Sequence, residues 1–194
     1  GNYSSGKMGY AIAEALSQQG ADVTLVSGPT SLEVMDKSIT VQRVQTAEQM
    51  HDVTTKLFPE MDGAILSAAV SDFKPDLTHS EKVKRGKDKW KLELEPTADI
   101  AESLGKAKHN QLLVGFALET EDEVEHAKEK IQKKNLDFIV LNSLKDEGAG
   151  FQYDTNKVKI IDRENNIFDF ELKSKGEVAD DIVNKIIQYT YDIS

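Results

Sequence analysis

Short apolar stretches that alternate with amphipathic helical segments restrict the fold of this chain more than any other feature. Residues 63–69, 112–116 and 137–141 are strand-like runs, and the first is apolar on both faces, as in a central parallel strand. The segments between them repeat apolar residues every three to four positions, which indicates helices with one buried face. This alternation predicts an α/β fold, with a Rossmann-like, doubly wound, mostly parallel sheet and right-handed crossovers.

Local signals place the ends of several predicted helices. Gly20 suits the C′ position after a first helix that ends near Gln19. Thr46 and Thr97 are the predicted N-caps of two later helices. The remaining predicted elements are strands over residues 22–26, 39–44 and 90–95, helices over 47–58, 98–106, 121–134 and 174–191, and a hairpin of 157–162 with 167–172.

The first nine residues form a polar loop that leads directly into the first amphipathic helix. Ser4 or Ser5 is suited to cap this helix, and Lys7 adds a positive charge. The free N–H groups of a first helical turn, together with the helix dipole, attract anions. The loop therefore predicts a site for a phosphate or a carboxylate.

Three interpretations of this loop were compared. The pattern of Gly1, Gly6 and Lys7 approaches a triphosphatase phosphate loop, but Met8 stands where that motif needs a magnesium-binding Ser or Thr, so we reject it. Gly6 and Gly9 alone are too few for a dinucleotide-binding turn. A tight turn that uses glycine only for backbone reasons remains open from the loop alone.

Composition excludes several classes of protein. The 194 residues suffice for one domain, and the formal net charge of −10 argues against nucleic-acid binding. The chain has no cysteine, and its four histidines are not at metal-ligand spacing, which argues against disulfides, a thiolate nucleophile and a zinc site. No run approaches the roughly 20 apolar residues of a membrane span, and no signal peptide is visible, so a cytoplasmic location is expected.

The start of the chain is unusual for this fold. A phosphate-binding turn in an α/β protein normally follows a buried strand, and here nothing precedes the turn. We therefore expect residues 1–194 to be a single domain that is truncated at its N-terminus and lacks the first strand.

Ligands of open α/β sheets bind beyond the carboxyl ends of the strands. The residues expected there include Ser27 and Gly28, which replace the acidic residue that a nicotinamide-binding dehydrogenase carries after this strand. Asn142 also follows a predicted strand. Residues 81–89 (EKVKRGKDK) form a basic island that is either a solvated loop or a mobile lid over a polyphosphate.

Several stretches, taken together and in register, resemble one family. That family is phosphopantothenate–cysteine ligase, the phosphopantothenoylcysteine synthetase of coenzyme A biosynthesis, and the resemblance covers essentially the whole chain. The stretches are NYSSGKMG (2–9), AAVSDF (68–73), EKVK (81–84), TADI (97–100), VGFALET (114–120) and KKNLD (133–137).

The resemblance implies a two-step ligation. The carboxylate of 4′-phosphopantothenate would attack the α-phosphate of CTP to give an acyl-cytidylate and pyrophosphate, and the amine of L-cysteine would then displace CMP. Magnesium is expected with the nucleotide, with protein ligands unknown, and no flavin is expected in this domain. The TADI stretch and Phe116 are similar to the CTP-using rather than the ATP-using members.

The resemblance also implies roles for individual residues. Asn2 and Lys82 would be catalytic, with Lys82 acting in the first step and Asn2 holding the acyl intermediate in the second. Asn2, Ser5, Gly6 and Lys7 would bind the acid substrate. The nucleotide would be bound by Ser67, Ala68, Asp72, Lys82, Thr97, Ala98, Asp99, Ile100, Phe116, Lys130 and Lys134.

The family's architecture adds a β segment through which a homodimer forms. Its bacterial members are often fused to a flavin-dependent decarboxylase, and neither that half nor the family's first strand is present in this sequence. Two other classes were considered, a nicotinamide-dependent Rossmann-type oxidoreductase and a catalytically inactive dimeric scaffold. Protection by NADPH but not CTP would favour the first, and dimerisation with no nucleotide effect would favour the second.

Overall fold

The computed structural model describes residues 4–77, 91–119, 123–143 and 155–192. Its helices are α1 (Lys7–Gln18), α2 (Ala47–Leu57), α3 (Ile100–Ala107), α4 (Glu123–Lys133) and α5 (Lys175–Asp192). Its strands are β1 (Thr24–Ser27), β2 (Thr40–Arg43), β3 (Gly63–Leu66), β4 (Phe73–Pro75), β5 (Leu94–Pro96), β6 (Leu112–Glu119), β7 (Phe138–Ser143), β8 (Thr155–Asn156), β9 (Val158–Asp162), β10 (Ile167–Asp169) and β11 (Lys173–Ser174).

A five-stranded sheet in the order β10-β9-β7-β6-β3 forms the centre of the domain. The pairs β3–β6 and β6–β7 are parallel, whereas β7–β9 and β9–β10 are antiparallel. The α/β prediction is confirmed, but the prediction of a mostly parallel sheet is wrong for this mixed sheet. Strand β9 pairs with β7 in the antiparallel direction, with Asn142 opposite Val158 and Phe138 opposite Asp162.

Strands β1 and β2 form a second, parallel ladder in which Thr24 pairs with Thr40 and Ser27 with Arg43. Within the described ranges, neither strand of this ladder is paired with β3. Helix α1 links the two sheets, because the Tyr10 hydroxyl lies 3.1 Å from Ser27 Oγ while Gly9 packs against Ser67 beyond β3. The helix layer therefore joins two separate sets of strands.

The five-stranded sheet separates two apolar cores. On one face, α1 and α5 pack against alternate residues of β6, β7 and β9, including Val114, Val140 and Val158. On the other face, α2, α3 and α4 cover Leu113, Ile139 and their neighbours. The buried residues of α4 and α5 include Ala127, Ile131, Val178 and Ile182, and their spacing of four residues agrees with the predicted helices that have one buried face.

The helix ends only partly follow the predicted caps. Thr46 Oγ1 accepts the Gln49 N–H and Gly20 has a φ of 88°, which confirms both assignments. Thr97 is not an N-cap, because its hydroxyl and N–H donate to the carbonyls of Ser71 and Asp72. Asp99 caps α3 instead and accepts the Glu102 N–H at 3.0 Å.

Helix α3 approaches the end of α4 closely at Gly105. A Cβ at this position would lie 2.0 Å from the backbone oxygen of Lys134, which is far inside van der Waals contact. The Asn135 side chain donates to the Gly105 carbonyl at 3.0 Å across the same contact. Glycine is therefore required where these two elements meet.

A buried ionic cluster lies at the amino end of β7. Asp137 Oδ2 accepts hydrogen bonds from Lys108 Nζ and from the Leu113 N–H. The side chains of Lys108 and Asp137 are only 7% and 6% exposed. Arg163 and Tyr189 approach the other carboxylate oxygen at 3.7 and 3.4 Å. Burial, followed by the charge of Asp137, raises the pKa of Tyr189.

Candidate functional site

The structure places some of the predicted site residues and leaves others outside its description. Asn2 and Lys82, the two predicted catalytic residues, lie outside the described residues, so their roles stay predictions. The other predicted residues lie on the two faces of the five-stranded sheet, and Lys130 and Lys134 stand at the end of α4 that leads into β7. They are described below face by face.

The α1 N-terminus follows a left-handed glycine. Gly6 has a φ of 80° and is the N-cap residue, with no side-chain cap bond of its own, so the prediction that Ser4 or Ser5 is the N-cap is wrong. Ser5 nevertheless stays close, and its Oγ accepts the Lys7 N–H at 3.4 Å. The leading N–H groups of a helix lack intrahelical acceptors, so this turn retains donors that suit an anion.

Gly9 brings this helix against the end of β3. A Cβ on Gly9 would lie 2.8 Å from Ser67 Oγ, so a larger residue would force that hydroxyl to move. Ser67 follows Leu66, which pairs with Gly115, and Phe116 is the next residue of β6. Phe116 and Met8 both pack against the core beneath α1 that includes Ile12. Three predicted regions, the α1 turn, Ser67 and Phe116, therefore meet on the α1 side of the sheet.

A second predicted group lies on the α3 side. Thr97 is bonded to the backbone of Ser71 and Asp72, as described above, which holds Asp72 beside the TADI stretch. Lys134 Nζ lies 2.8 Å from Asp99 Oδ2. Asp72, Ala68 and Ala98 are exposed and Ile100 is buried, so the first three remain accessible to a ligand.

Asp99 is charged at neutral pH in this arrangement. Burial raises the pKa of its carboxyl, but the hydrogen bond from Lys134 and the N–H groups of the first α3 turn outweigh burial and hold the pKa below its usual value. The ion pair with Lys134 is therefore present at neutral pH and is lost only as the pH falls through this lowered pKa.

Lys130 lies one turn before Lys134 but in different surroundings. It lines a shallow surface depression with His126, Glu129 and Lys133. The structure thus joins Lys134 to the α3 cap, and it places Lys130 on the outer part of α4. The nucleotide-binding roles of both lysines stay predictions.

Two buried polar residues at the carboxyl edge are absent from the predicted site. Asn142, in β7, is 8% exposed, and Asn156, in β8, is 5% exposed. From the sequence, Asn142 is one of the residues expected beyond the carboxyl ends of the strands, whereas Asn156 is predicted to end a loop. An amide that continues the apolar alternation of a strand is the signal that could have identified both.

The described ranges show neither a metal cluster nor a membrane helix. Within them, no three His, Asp or Glu side chains gather in a way that could hold a metal ion. Within the same ranges, no helix combines the length and the apolar character needed to cross a bilayer.

A helix N-terminus, a close glycine contact and polar strand ends at the carboxyl edge define an α/β domain of the anion- or nucleotide-binding class. The chain belongs to the family described as the DNA/pantothenate metabolism flavoprotein C-terminal domain, which it matches over residues 1–190. The family resemblance that the sequence motifs indicated is thereby confirmed.

Relatives are similar over nearly the whole chain. The chain is 42% identical over 185 residues to the coenzyme A biosynthesis bifunctional protein CoaBC of Bacillus subtilis, covering 95% of this chain and 46% of that protein. It is 55% identical over 187 residues to a protein of an unknown prokaryotic organism described as a cysteine/cysteine sulfinic acid decarboxylase, covering 96% and 52%. The chain spans about half the length of both relatives.

Solved structures match the fold. The crystal structure of the C-terminal domain of a CoaBC protein matches with a TM-score of 0.82 and 36% identity, covering 97% of this chain and 85% of that one. A Cab2 mutant in complex with phosphopantothenate-cysteine matches with a TM-score of 0.72 and 17% identity, covering 97% and 78%, and this likeness shows the fold alone.

Proposed function

We propose that this chain is a ligase that joins 4′-phosphopantothenate to L-cysteine at the expense of CTP, in coenzyme A biosynthesis. The observation that carries the proposal is the family match over residues 1–190, together with 42% identity to a coenzyme A biosynthesis protein. The meeting of the α1 turn with Ser67 and Phe116 at the carboxyl edge supports an anionic ligand there.

The proposed chemistry needs no covalent enzyme intermediate. The substrate carboxylate attacks the α-phosphate of CTP, pyrophosphate leaves, and the resulting acyl-cytidylate is already activated. The amine of cysteine then attacks the acyl carbon, CMP leaves, and the amine proton passes to solvent or the departing phosphate. Positioning and charge neutralisation would supply most of the acceleration, which suits a chain without cysteine.

The two faces of the site suggest a division of roles. On the α1 side, Ser5, Gly6 and Lys7 would bind the acid substrate through backbone N–H groups and one positive charge. On the α3 side, the Thr97–Asp99 region, Asp72 and Lys134 would bind the nucleotide, with Ser67, Ala68, Ile100, Phe116 and Lys130 completing the predicted set.

The proposal also specifies CTP as the nucleotide and magnesium as its metal ion. Magnesium is bound in such sites by one or two carboxylates together with the substrate phosphates. Asp72 is an exposed carboxylate beside the proposed nucleotide position, and its chemistry fits such a role. When bound, the ion would shield the triphosphate charge. We also propose a fused decarboxylase, since the named CoaBC relative is bifunctional. The predicted cytoplasmic location is a separate part of the proposal.

An exposed apolar face supports the proposed homodimer. Strands β4 and β5 pair so that Phe73 lies opposite Pro96 and Leu94 opposite Pro75. Successive side chains of each strand point to opposite faces of this ribbon. On the other face, Lys74 forms ion pairs with Glu95 and with Glu48 of α2. The outward face is therefore apolar, and Phe73 and Leu94 are 58% and 55% exposed. A self-complementary apolar ribbon is suited to a second copy of the chain.

Leu94→Asp is expected to weaken the proposed dimer by at least about tenfold, because a charge would be buried at the centre of the interface. Sedimentation across a concentration series measures this dissociation constant. Leu172→Asp is the matched control, since Leu172 is 45% exposed but lies outside the ribbon. Equal dissociation constants for the two variants would contradict the assignment of this face.

The proposed ligation predicts CTP-dependent pyrophosphate release without cysteine and CMP release only after cysteine is added. The assay compares CTP with ATP, each with 4′-phosphopantothenate, using the chain in its full-length context. Release that is at least about tenfold faster with CTP would support the nucleotide assignment. No pyrophosphate with either nucleotide would refute the ligase. Thermal protection by NADPH alone would favour an oxidoreductase, and dimers without any nucleotide effect would favour an inactive scaffold.

A further inference from the structure

Two asparagine side chains are buried at the carboxyl edge with unused hydrogen-bonding capacity. Asn142 and Asn156 are more than nine-tenths buried, at 8% and 5% exposure. Among the described residues, the Oδ1 atom of each has no hydrogen-bond partner. Both are outside the set of residues that the family motifs assign.

The sheet register puts both side chains on the same face. Asn142 pairs with Val158, and it follows Phe138 and Val140 at alternate positions of β7. From Asn156 onward, burial alternates through Val158 and Ile160, so Asn156 continues the face that those two residues define. Val140, Val158 and Ile160 all belong to the core beneath α1 and α5. The register therefore puts Asn142 opposite Val158, and Asn156 two residues before Val158, so both lie at the same end of that core.

Energetics indicate that these amides serve more than packing. A buried polar group without a partner costs about 1–3 kcal/mol, and native proteins keep few of them. A leucine or valine at either position would extend the apolar alternation of the strand. Two unpaired amide oxygens on one face instead mark a place where a hydrogen-bond donor of a ligand or an ordered water supplies the missing bonds.

Chemistry, more than position, favours the acid substrate at these amides, because Ser67 and Phe116 of the proposed nucleotide set also lie on the α1 side. The proposed nucleotide residues Asp99 and Lys134 belong to the α3 side, whereas the amides belong to the α1 and α5 side. Asn142 pairs with Leu118, two residues beyond Phe116 on β6. The same side carries the α1 turn, where the acid substrate is proposed to bind. An uncharged amide pair also suits hydroxyl and amide groups better than a triphosphate.

We propose that Asn142 and Asn156 form a neutral subsite that hydrogen-bonds the hydroxyl and amide groups of 4′-phosphopantothenate. This inference rests on the proposed function and adds specificity residues to it. The two charged ends of the substrate would be bound elsewhere, and the amide pair would recognise the polar groups between them. Loss of either amide should therefore weaken acid binding without changing nucleotide binding.

The test uses Asn156→Leu in the full-length protein. Calorimetry is expected to show that the variant binds 4′-phosphopantothenate at least about tenfold more weakly than the parent protein does, with unchanged binding of CTP. The melting temperature should be unchanged or higher, because the variant removes an unpaired buried amide. Asn142→Leu should have the same effects. The fold loss of affinity for 4′-phosphopantothenate in the double variant should be smaller than the product of the two single fold losses. Asn184→Leu, at an exposed position of α5, is the matched control.

The outcomes separate this inference from the ligase proposal. Normal acid binding by Asn156→Leu, an equal loss of CTP binding, or a lower melting temperature with intact binding would overturn the subsite. If the parent protein binds 4′-phosphopantothenate and the variant binds it more weakly, yet neither releases pyrophosphate, the ligase proposal fails and the subsite stands. If the parent protein does not bind this acid, the subsite is overturned.

Discussion

Asp137→Ala is expected to destabilise the domain by about 3–5 kcal/mol, the largest stability effect predicted for any substitution considered. The change leaves the Lys108 ammonium buried without its counter-charge, since both side chains are at most 7% exposed. It also removes the acceptor of the Leu113 N–H, which lies 2.7 Å from Asp137 Oδ2. Urea unfolding of the variant and the parent measures the difference in free energy of unfolding.

Two further variants make this prediction specific. Glu125→Ala breaks an ion pair with Lys128 in which Glu125 is 73% exposed, and it should change stability by no more than about 0.5 kcal/mol. Adding Lys108→Met to Asp137→Ala should recover part of the loss, because the unpaired charge is removed with it. A loss for Asp137→Ala no larger than that for Glu125→Ala would show that the buried pair is not required.

Lys82→Gln is expected to abolish pyrophosphate release from CTP and 4′-phosphopantothenate, the largest effect predicted on activity. The expectation follows from the family resemblance, because the side chain would neutralise the triphosphate as pyrophosphate leaves. Glutamine keeps much of the length but not the charge, so binding geometry is perturbed less than electrostatics. Lys91→Gln, just beyond the basic island of residues 81–89, is the control and should release pyrophosphate normally. Equal rates for both variants would remove Lys82 from the mechanism.

Asn2→Asp separates the second step from the first. The variant should still release pyrophosphate, but it should accumulate acyl-cytidylate, because a carboxylate cannot donate to the acyl carbonyl as that oxygen gains charge. Quenched reactions resolved by chromatography would detect the intermediate. Normal turnover of Asn2→Asp would show that the role assigned to Asn2 is wrong.

Local patterns were sufficient to predict most elements but not all their pairings. The inner faces of α4 and α5 follow from 3.6-residue periodicity, and Thr46 and Gly20 carry unambiguous end signals. The antiparallel return of β9 is a long-range pairing with β7, which strand composition does not reveal. Thr97 was assigned as a cap because Thr suits that position, yet its bonds to residues 71 and 72 are long-range contacts.

The candidate site shows the same division between local and long-range information. The anion-binding character of the α1 turn is local, since glycine, serine and a helix start suffice to predict it. The contact of Gly9 with Ser67 and the pairing of Asp99 with Lys134 require the fold. Asp137 at the start of a strand resembles an ordinary solvent-exposed residue until Lys108 is seen beside it.

The separation of the β1–β2 ladder from the five-stranded sheet has a consequence for local opening. Hydrogen bonds of one ladder do not continue into the other within the described ranges, so the short ladder can lose its pairing without disturbing β6 and β7. Its amide protons should accordingly exchange with solvent earlier than those of the buried central strands. Helix α1 would stay in place, because it packs with α5 on the five-stranded sheet, and the opening of β1 would reach the α1 helix through the contact of Tyr10 with Ser27.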